Sequence, residues 1–154
     1  MNRILIVAAG GVSIAIAIGA FLVAGQGGAD SNGGLPYDDA AAVARGAAIY
    51  EASCAACHGA NLEGQAEWRT ARTPEGRALA PPHDEDGHTW HHPDEQLIEI
   101  TKVGTAAVVG NGYESDMSGF GDVLTDTEIR EVLGYIKSNW PAEVIAQHNL
   151  INER

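Results

Sequence analysis

The chain has 154 residues, enough for one ordinary domain with a short accessory segment and too few for two separate hydrophobic cores. Its 9 basic and 21 acidic side chains give a formal charge of −12, which argues against nucleic acid as a partner, because phosphate backbones are bound by clustered Lys and Arg. The acidity fits a cationic protein partner, or it simply keeps a small exported domain soluble.

An apolar segment comes first. Residues 4–24 contain Ser13 as their only plainly polar side chain, and at ~1.5 Å per residue a helix of that length reaches ~31 Å, which matches the hydrocarbon core of a bilayer. We expect residues 1–25 to be a retained transmembrane anchor; a cleaved signal peptide, whose apolar region is usually shorter, is the alternative. Because Arg3 precedes the span and Asp30 follows it, the positive-inside rule places the N-terminus in the cytoplasm and the rest outside.

The remainder divides into three parts. Residues 26–37 are rich in glycine and small polar residues, a composition typical of a flexible linker with a reach of about 20 Å. Residues 38–141 carry the helical patterns and are expected to form the folded domain, with residues 142–154 as a C-terminal tail. No convincing strand-period alternation follows the apolar segment, so the domain is predicted to be all-α.

The first predicted helix begins after Asp38 or Asp39, either of which can cap it. Its apolar stripe recurs at intervals of four, three and four residues: Val43, Ala47, Tyr50 and Cys54. Gly46 interrupts this helix, at a cost of about 1 kcal/mol relative to Ala if nothing requires it there.

Two further helices are predicted. A middle helix occupies residues 93–103, because Pro suits the first turn and Gly104 can cap the exit; Leu97, Ile98 and Ile100 are its core candidates. The last helix starts with a capping box between Thr125 and Glu128 and stops at Pro141. Its buried face is Ile129, Val132, Leu133, Ile136 and Trp140, with Tyr135 beside it.

The only cysteines, Cys54 and Cys57, lie in the sequence Cys-Ala-Ala-Cys-His that ends at His58. This C-x-x-C-H pattern is typical of covalent c-type haem attachment, in which a helical turn places both sulfurs at one edge of the porphyrin and brings the histidine under the iron. A thioredoxin-like pair would follow a buried strand, and here a helix precedes the motif. A zinc site would need a further Cys or His pair.

With this motif after a first helix, a Pro-rich middle segment, a lone Met and a final helix, residues 38–141 resemble class I c-type cytochromes. The resemblance implies the class I cytochrome c fold, three or more helices around one covalently bound haem c, so that residues 38–141 are the cytochrome c domain. It also implies that Gly46 and Tyr50 pack across the C-terminal helix.

Met117 is the only methionine apart from the initiator, and it lies in a polar, glycine-rich loop of residues 115–121. The resembling family keeps its second iron ligand here, so His58 and Met117 are the expected axial ligands; a core gap-filler is the alternative reading of Met117. The other ring nitrogen of His58 needs an acceptor, and proline carbonyls serve in this family, which makes Pro81 and Pro82 candidates.

A histidine-rich segment joins Pro82 to Pro93. Its density of imidazoles allows a second metal site, for copper or zinc, or an alternative haem ligand. The competing interpretation is a polar loop over the haem edge. The residues concerned are His83, His88, His91 and His92.

The resemblance implies an electron carrier on the periplasmic face of a bacterial inner membrane, not an enzyme, or a soluble periplasmic protein if the N-terminus is cleaved. Its expected partners are a donor and an acceptor redox protein with a basic docking face. Three alternatives stay open: a peroxidase-like enzyme with an open iron position, a copper-handling protein that uses residues 83–92, and a structural subunit of a larger oxidase or reductase.

Overall fold

The computed structural model describes residues 34–154, so the predicted membrane anchor and most of the predicted linker lie outside the described residues. Within this range the chain forms α1 (Ala40–Ser53), α2 (Ala55–His58), a 3₁₀ turn (Thr89–His91), α3 (Asp94–Val103), α4 (Thr105–Val109), α5 (Asp126–Ser138) and α6 (Ala142–Asn152). The β-type pairings of this range are two isolated bridges. The all-α prediction is confirmed. No helix in residues 34–154 has both the length and the apolar character needed to span a membrane.

Helices α1 and α5 cross closely and form the centre of the fold. The side chain of Asp39 caps α1 by accepting from the backbone N–H of Ala41 at 2.8 Å. A Cβ on Gly46 would lie 2.6 Å from the carbonyl carbon of Glu131 in α5, so only glycine permits this approach. The expected packing of Gly46 and Tyr50 across the C-terminal helix is therefore confirmed.

In the predicted stripe of α1, Tyr50 is confirmed as buried, but the Val43 and Ala47 positions were wrong by one residue. The buried positions are Ala42, Gly46 and Tyr50, whereas Val43 and Ala47 are half-buried. The reason is the close crossing, because it turns the row that contains Gly46 towards α5 and leaves the neighbouring row at the edge of the interface.

Helix α5 begins with the predicted capping box: Thr125 Oγ1 accepts from Glu128 N, and Glu128 Oε2 accepts from Thr125 N at 2.8 Å. The predicted face of α5 is buried, with Ile129 completely inaccessible. The helix ends at Ser138 and does not reach Pro141. Trp140 is buried as predicted, but it lies in the turn after α5 and not in the helix itself.

Helix α3 matches the middle prediction within one residue, with Pro93 immediately before it and Gly104, at φ +89°, immediately after it. Leu97 is buried, while Ile98 and Ile100 are half-buried. Helix α4 follows Gly104 at once and was not predicted.

The segment 142–154, expected to be a tail, instead forms α6 and packs onto the domain. His148 is completely buried and donates from Nε2 to the carbonyl of His92 at 2.9 Å. Asn152 accepts from Asp94 N at 2.7 Å. A search for an apolar stripe overlooks this helix because its central contacts are polar.

Candidate haem site

The attachment motif lies where α1 ends and α2 begins. Cys54 separates the two helices, and its N–H still donates to Tyr50 O at 2.9 Å. One further helical turn carries Cys57 and His58, because His58 N donates to Cys54 O at 2.9 Å. The motif is therefore compact, and Cys54, Cys57 and His58 all line the same cavity.

This cavity has a volume of about 850 Å³, within the range of roughly 300–1,000 Å³ that is usual for small-molecule and cofactor sites. Its wall is largely apolar, with Leu97 and Ile100 from α3 and with Val132, Leu133 and Ile136 from α5. The helical core and the cavity thus share the same side chains.

His58 is prepared for metal binding through its second ring nitrogen. Its Nδ1 donates to the carbonyl oxygen of Pro81 at 2.8 Å, which leaves the Nε2 lone pair available. Of the two candidate prolines, Pro81 supplies this acceptor. Burial lowers the pKa of His58, partly opposed by the bond to Pro81, so the imidazole is neutral near pH 7. Neutral imidazole is the form that ligates a metal.

The two cysteines are free thiols. Burial, reinforced by neighbouring Cys57, raises the pKa of Cys54 to about 11. The attacking thiol of an exchange enzyme has a lowered pKa, which Cys54 does not have, and the motif follows helix α1 and not a buried strand, so neither feature favours the thioredoxin-like alternative. The zinc alternative finds no support either, since the part of the chain described here contains no group of three or more His, Cys, Asp or Glu side chains able to hold a metal ion.

Met117 also lines the cavity, from a loop anchored to the end of α3. Phe120 N and Gly121 N donate to Thr101 O and Lys102 O, each at 2.9 Å. A Cβ on Gly119 would meet the backbone of Lys102 at 2.6 Å, so this approach also requires glycine. The loop is held by backbone pairing, and it brings the only thioether of the described residues to the same cavity as His58.

The histidine-rich segment does not assemble a metal cluster, contrary to the second-site hypothesis. His83, His88 and His92 line the cavity, but His91 stacks on Trp90 with ring centroids 3.7 Å apart and does not line it. His88 and His92 do pack edge to face with centroids 5.4 Å apart, but residues 34–154 contain no group of three or more His, Cys, Asp or Glu side chains that could hold a metal ion.

His83 is in direct contact with the expected iron ligand. Its ring stacks on that of His58 with centroids 4.0 Å apart, and its Nδ1 is 2.8 Å from Thr89 Oγ1. Burial, followed by the nearby His58 and His88, holds the pKa of His83 well below its usual range. His83 is thus a neutral aromatic neighbour of His58.

Three further residues of the cavity wall were missed in the sequence: Trp68, Arg69 and Arg72. The guanidinium of Arg69 lies 4.3 Å from the centre of the Trp68 ring, and Trp68 stacks on His88. The sequence does contain a signal for this part of the wall. In an acidic chain with only 9 basic residues, three of them lie close together: Arg69, Arg72 and Arg77.

The donor set and the cavity fit a haem. Two thiols reach the cavity from one helical turn, an imidazole offers a free nitrogen, a thioether lies on the same cavity, and the remaining wall is largely apolar. An all-α domain with this arrangement is a cytochrome-type domain for a covalently attached haem. The Cytochrome c family model matches residues 43–140, and the chain belongs to this family, which binds covalent haem c and serves haem-based electron transfer. No curated protein and no solved structure shows a significant match to the chain.

Proposed function

We propose that the protein is a single-haem, class I electron carrier in which Cys54 and Cys57 hold the haem and His58 and Met117 ligate its iron. The observation that carries this proposal is the convergence of these four side chains on one cavity. When bound, the haem supplies one-electron iron chemistry.

The residues of the chain would bind the haem, orient it and shield it from water. Pro81 O holds the ring of His58 so that Nε2 remains free for the metal. A thioether as second ligand favours a higher reduction potential than a second imidazole would. The apolar side chains of α3 and α5 exclude water from the cavity. These properties suit electron transfer between protein partners.

The test is an absorption spectrum of oxidised and reduced protein matured with haem in a bacterial periplasm, together with a pyridine haemochrome. We expect a covalent c-type haemochrome and a weak methionine-to-iron band at the red end that Met117→Ala loses. Ser118→Ala, next to Met117 and exposed, is the matched control and should keep the band. If Met117→Ala leaves the spectrum unchanged, the proposed ligation is wrong and an open or differently ligated iron, as in a peroxidase-like enzyme, becomes the better account.

Charge supports a basic docking face on the redox partners. Residues 110–129, which carry Met117, contain five acidic side chains and no basic one. Arg77 pairs with Asp116, Lys102 pairs with Asp126 at 2.6 Å, and Arg130 also acts on Asp126, so five negative charges less three cations leave a net −2 beside this loop. Such a surface attracts cationic proteins over roughly a Debye length, about 8–10 Å at physiological ionic strength.

The docking proposal predicts that electron transfer with a lysine-rich redox protein slows as ionic strength rises. Asp122→Lys should slow it further, whereas Glu143→Lys, on exposed α6, should have a smaller effect. If the two substitutions slow electron transfer equally, the rate depends on the net charge of the protein and not on this surface.

We also propose that residues 4–24 tether the domain to the periplasmic face of the inner membrane. The length and apolar composition of this segment, and Arg3 before it, support the tether. Membrane fractions washed with carbonate should retain the full chain, and replacing residues 1–25 with a cleavable signal sequence should release a soluble periplasmic cytochrome. Release of the full chain by the wash would contradict a spanning anchor.

A further inference from the structure

The C-terminal part of the chain is bonded to the histidine-rich segment at two points. Trp140 is buried, and its Nε1 donates to the carbonyl oxygen of His83 at 2.7 Å. On α6, His148 donates to the carbonyl oxygen of His92 at 2.9 Å. The rings of Trp140 and His148 also pack edge to face with centroids 5.0 Å apart. Helix α6 lies beyond the residues matched by the family model, whereas Trp140 is the last residue within them.

His83 is held on every side. Its N–H donates to Leu62 O at 2.7 Å, its carbonyl accepts from Trp140, and its Nδ1 bonds with the hydroxyl of Thr89 at 2.8 Å. Thr89 is itself buried. Two of these bonds fix the backbone of His83 and the third restrains its ring, so the face that the ring presents to its neighbour is restrained.

That neighbour is the ring of His58, whose plane is only 24° from that of His83. The bond from His58 Nδ1 to Pro81 O restrains rotation of the ring about its Cβ–Cγ bond from one edge. The flat ring of His83 restrains the same rotation from one face. The two contacts therefore act together on the plane of the imidazole.

We propose that His83 is a positioning residue, which sets the plane of the axial His58 imidazole and is held in place by Trp140 and, behind it, His148. This inference rests on the proposed function, because it requires His58 to ligate the iron. The wall of the haem cavity next to His58 is then braced by α6, which lies beyond the residues matched by the family model, and His83 serves the resident iron.

The experiment uses haem-loaded ferric protein and the proton NMR signals of the haem methyl groups, because their order and spread depend on the orientation of the axial ligand planes. His83→Ala removes the stacked ring and should change this pattern. His83→Phe keeps a flat ring and should retain it. Trp140→Phe keeps the packing but lacks the N–H donor to His83, so it should shift the pattern in the same sense as His83→Ala. His91→Ala, in the same segment but stacked outside the cavity, is the matched control.

The inference is overturned if His83→Ala gives the wild-type pattern, or if His91→Ala changes the pattern as much as His83→Ala does. Should His83→Ala fail to accumulate with haem, Trp140→Phe decides, and a wild-type pattern in that variant overturns the inference. The wild-type haemochrome and its axial ligands are determined first. A wild type without His58-ligated haem refutes the proposed function, whereas a normal wild type with unaffected variants refutes only the role of His83.

Discussion

Replacing Gly46 with alanine tests the close contact between α1 and α5. The added methyl carbon would lie 2.6 Å from the carbonyl carbon of Glu131 and 2.9 Å from Cβ of Tyr135. Carbon atoms in favourable contact lie about 3.5–4.0 Å apart, so α1 and α5 would have to separate by roughly 1 Å. Since the obstacle on the α5 side is backbone, no side-chain rotation can relieve it.

Two opposing effects determine the size of the change. Alanine favours the helix over glycine by about 1 kcal/mol. Overpacking a well-packed core costs typically about 1–3 kcal/mol, and the rigid obstacle places this site at the upper end of that range. We therefore expect Gly46→Ala to lower the free energy of unfolding by about 2 kcal/mol. With a urea slope of about 2 kcal/mol/M, the unfolding midpoint falls by about 1 M.

The assay is urea unfolding of the haem-loaded protein, followed by far-UV circular dichroism. Ala48→Gly, on the exposed side of α1, is the matched control and should lose about 1 kcal/mol through helix propensity alone. A Gly46→Ala variant that is more stable than wild type by about 1 kcal/mol would show that propensity outweighs contact, and the close crossing of α1 and α5 would be refuted.

Three further outcomes are expected. Thr125→Ala removes the cap of α5 and should lower the free energy of unfolding by about 1 kcal/mol, measured by urea titration. Burial and then Lys137 lower the pKa of His148 in the folded state, so the unfolded chain binds the proton more readily and stability is lost as pH falls through about 6.5. His148→Gln should lose less stability than wild type between pH 7 and pH 5, and parallel curves would contradict this. Replacing Cys54 and Cys57 with serine should make haem extractable by acidified organic solvent, and retained haem would argue against thioethers.

The sequence predicted α3 and α5 well because their ends are marked by local chemistry. Pro93, Gly104 and the pair Thr125 and Glu128 act within a few residues of themselves, so no knowledge of the tertiary structure is needed. The stripe of α1 was less reliable because this helix is rich in alanine, whose small side chain suits either face. Only the contact with α5 decides which row is buried, and that contact is not local.

The spacing of residues along the sequence could not predict which polar side chains of the site contact each other. Four histidines within ten residues indicate metal binding by density alone, but His91 packs on Trp90 and His83 packs on His58, which leaves only His88 and His92 in contact with each other. Helix α6 was missed for a related reason: besides Val144 and Ile145 at its start, it is held by His148 and Asn152, and polar side chains do not form a periodic apolar stripe.

The segment between Leu62 and His83 is closed at its base by backbone pairing. His83 N donates to Leu62 O at 2.7 Å, and Gln65 N donates to Ala80 O at 2.9 Å, so the two ends of the segment meet. The free energy of closing such a loop grows only slowly with its length. Residues 66–79 can therefore vary in length at a small entropic cost, but a change there alters the Trp68–His88 stack and the Arg77–Asp116 pair together with one wall of the haem cavity, while Pro81 keeps its bond to His58.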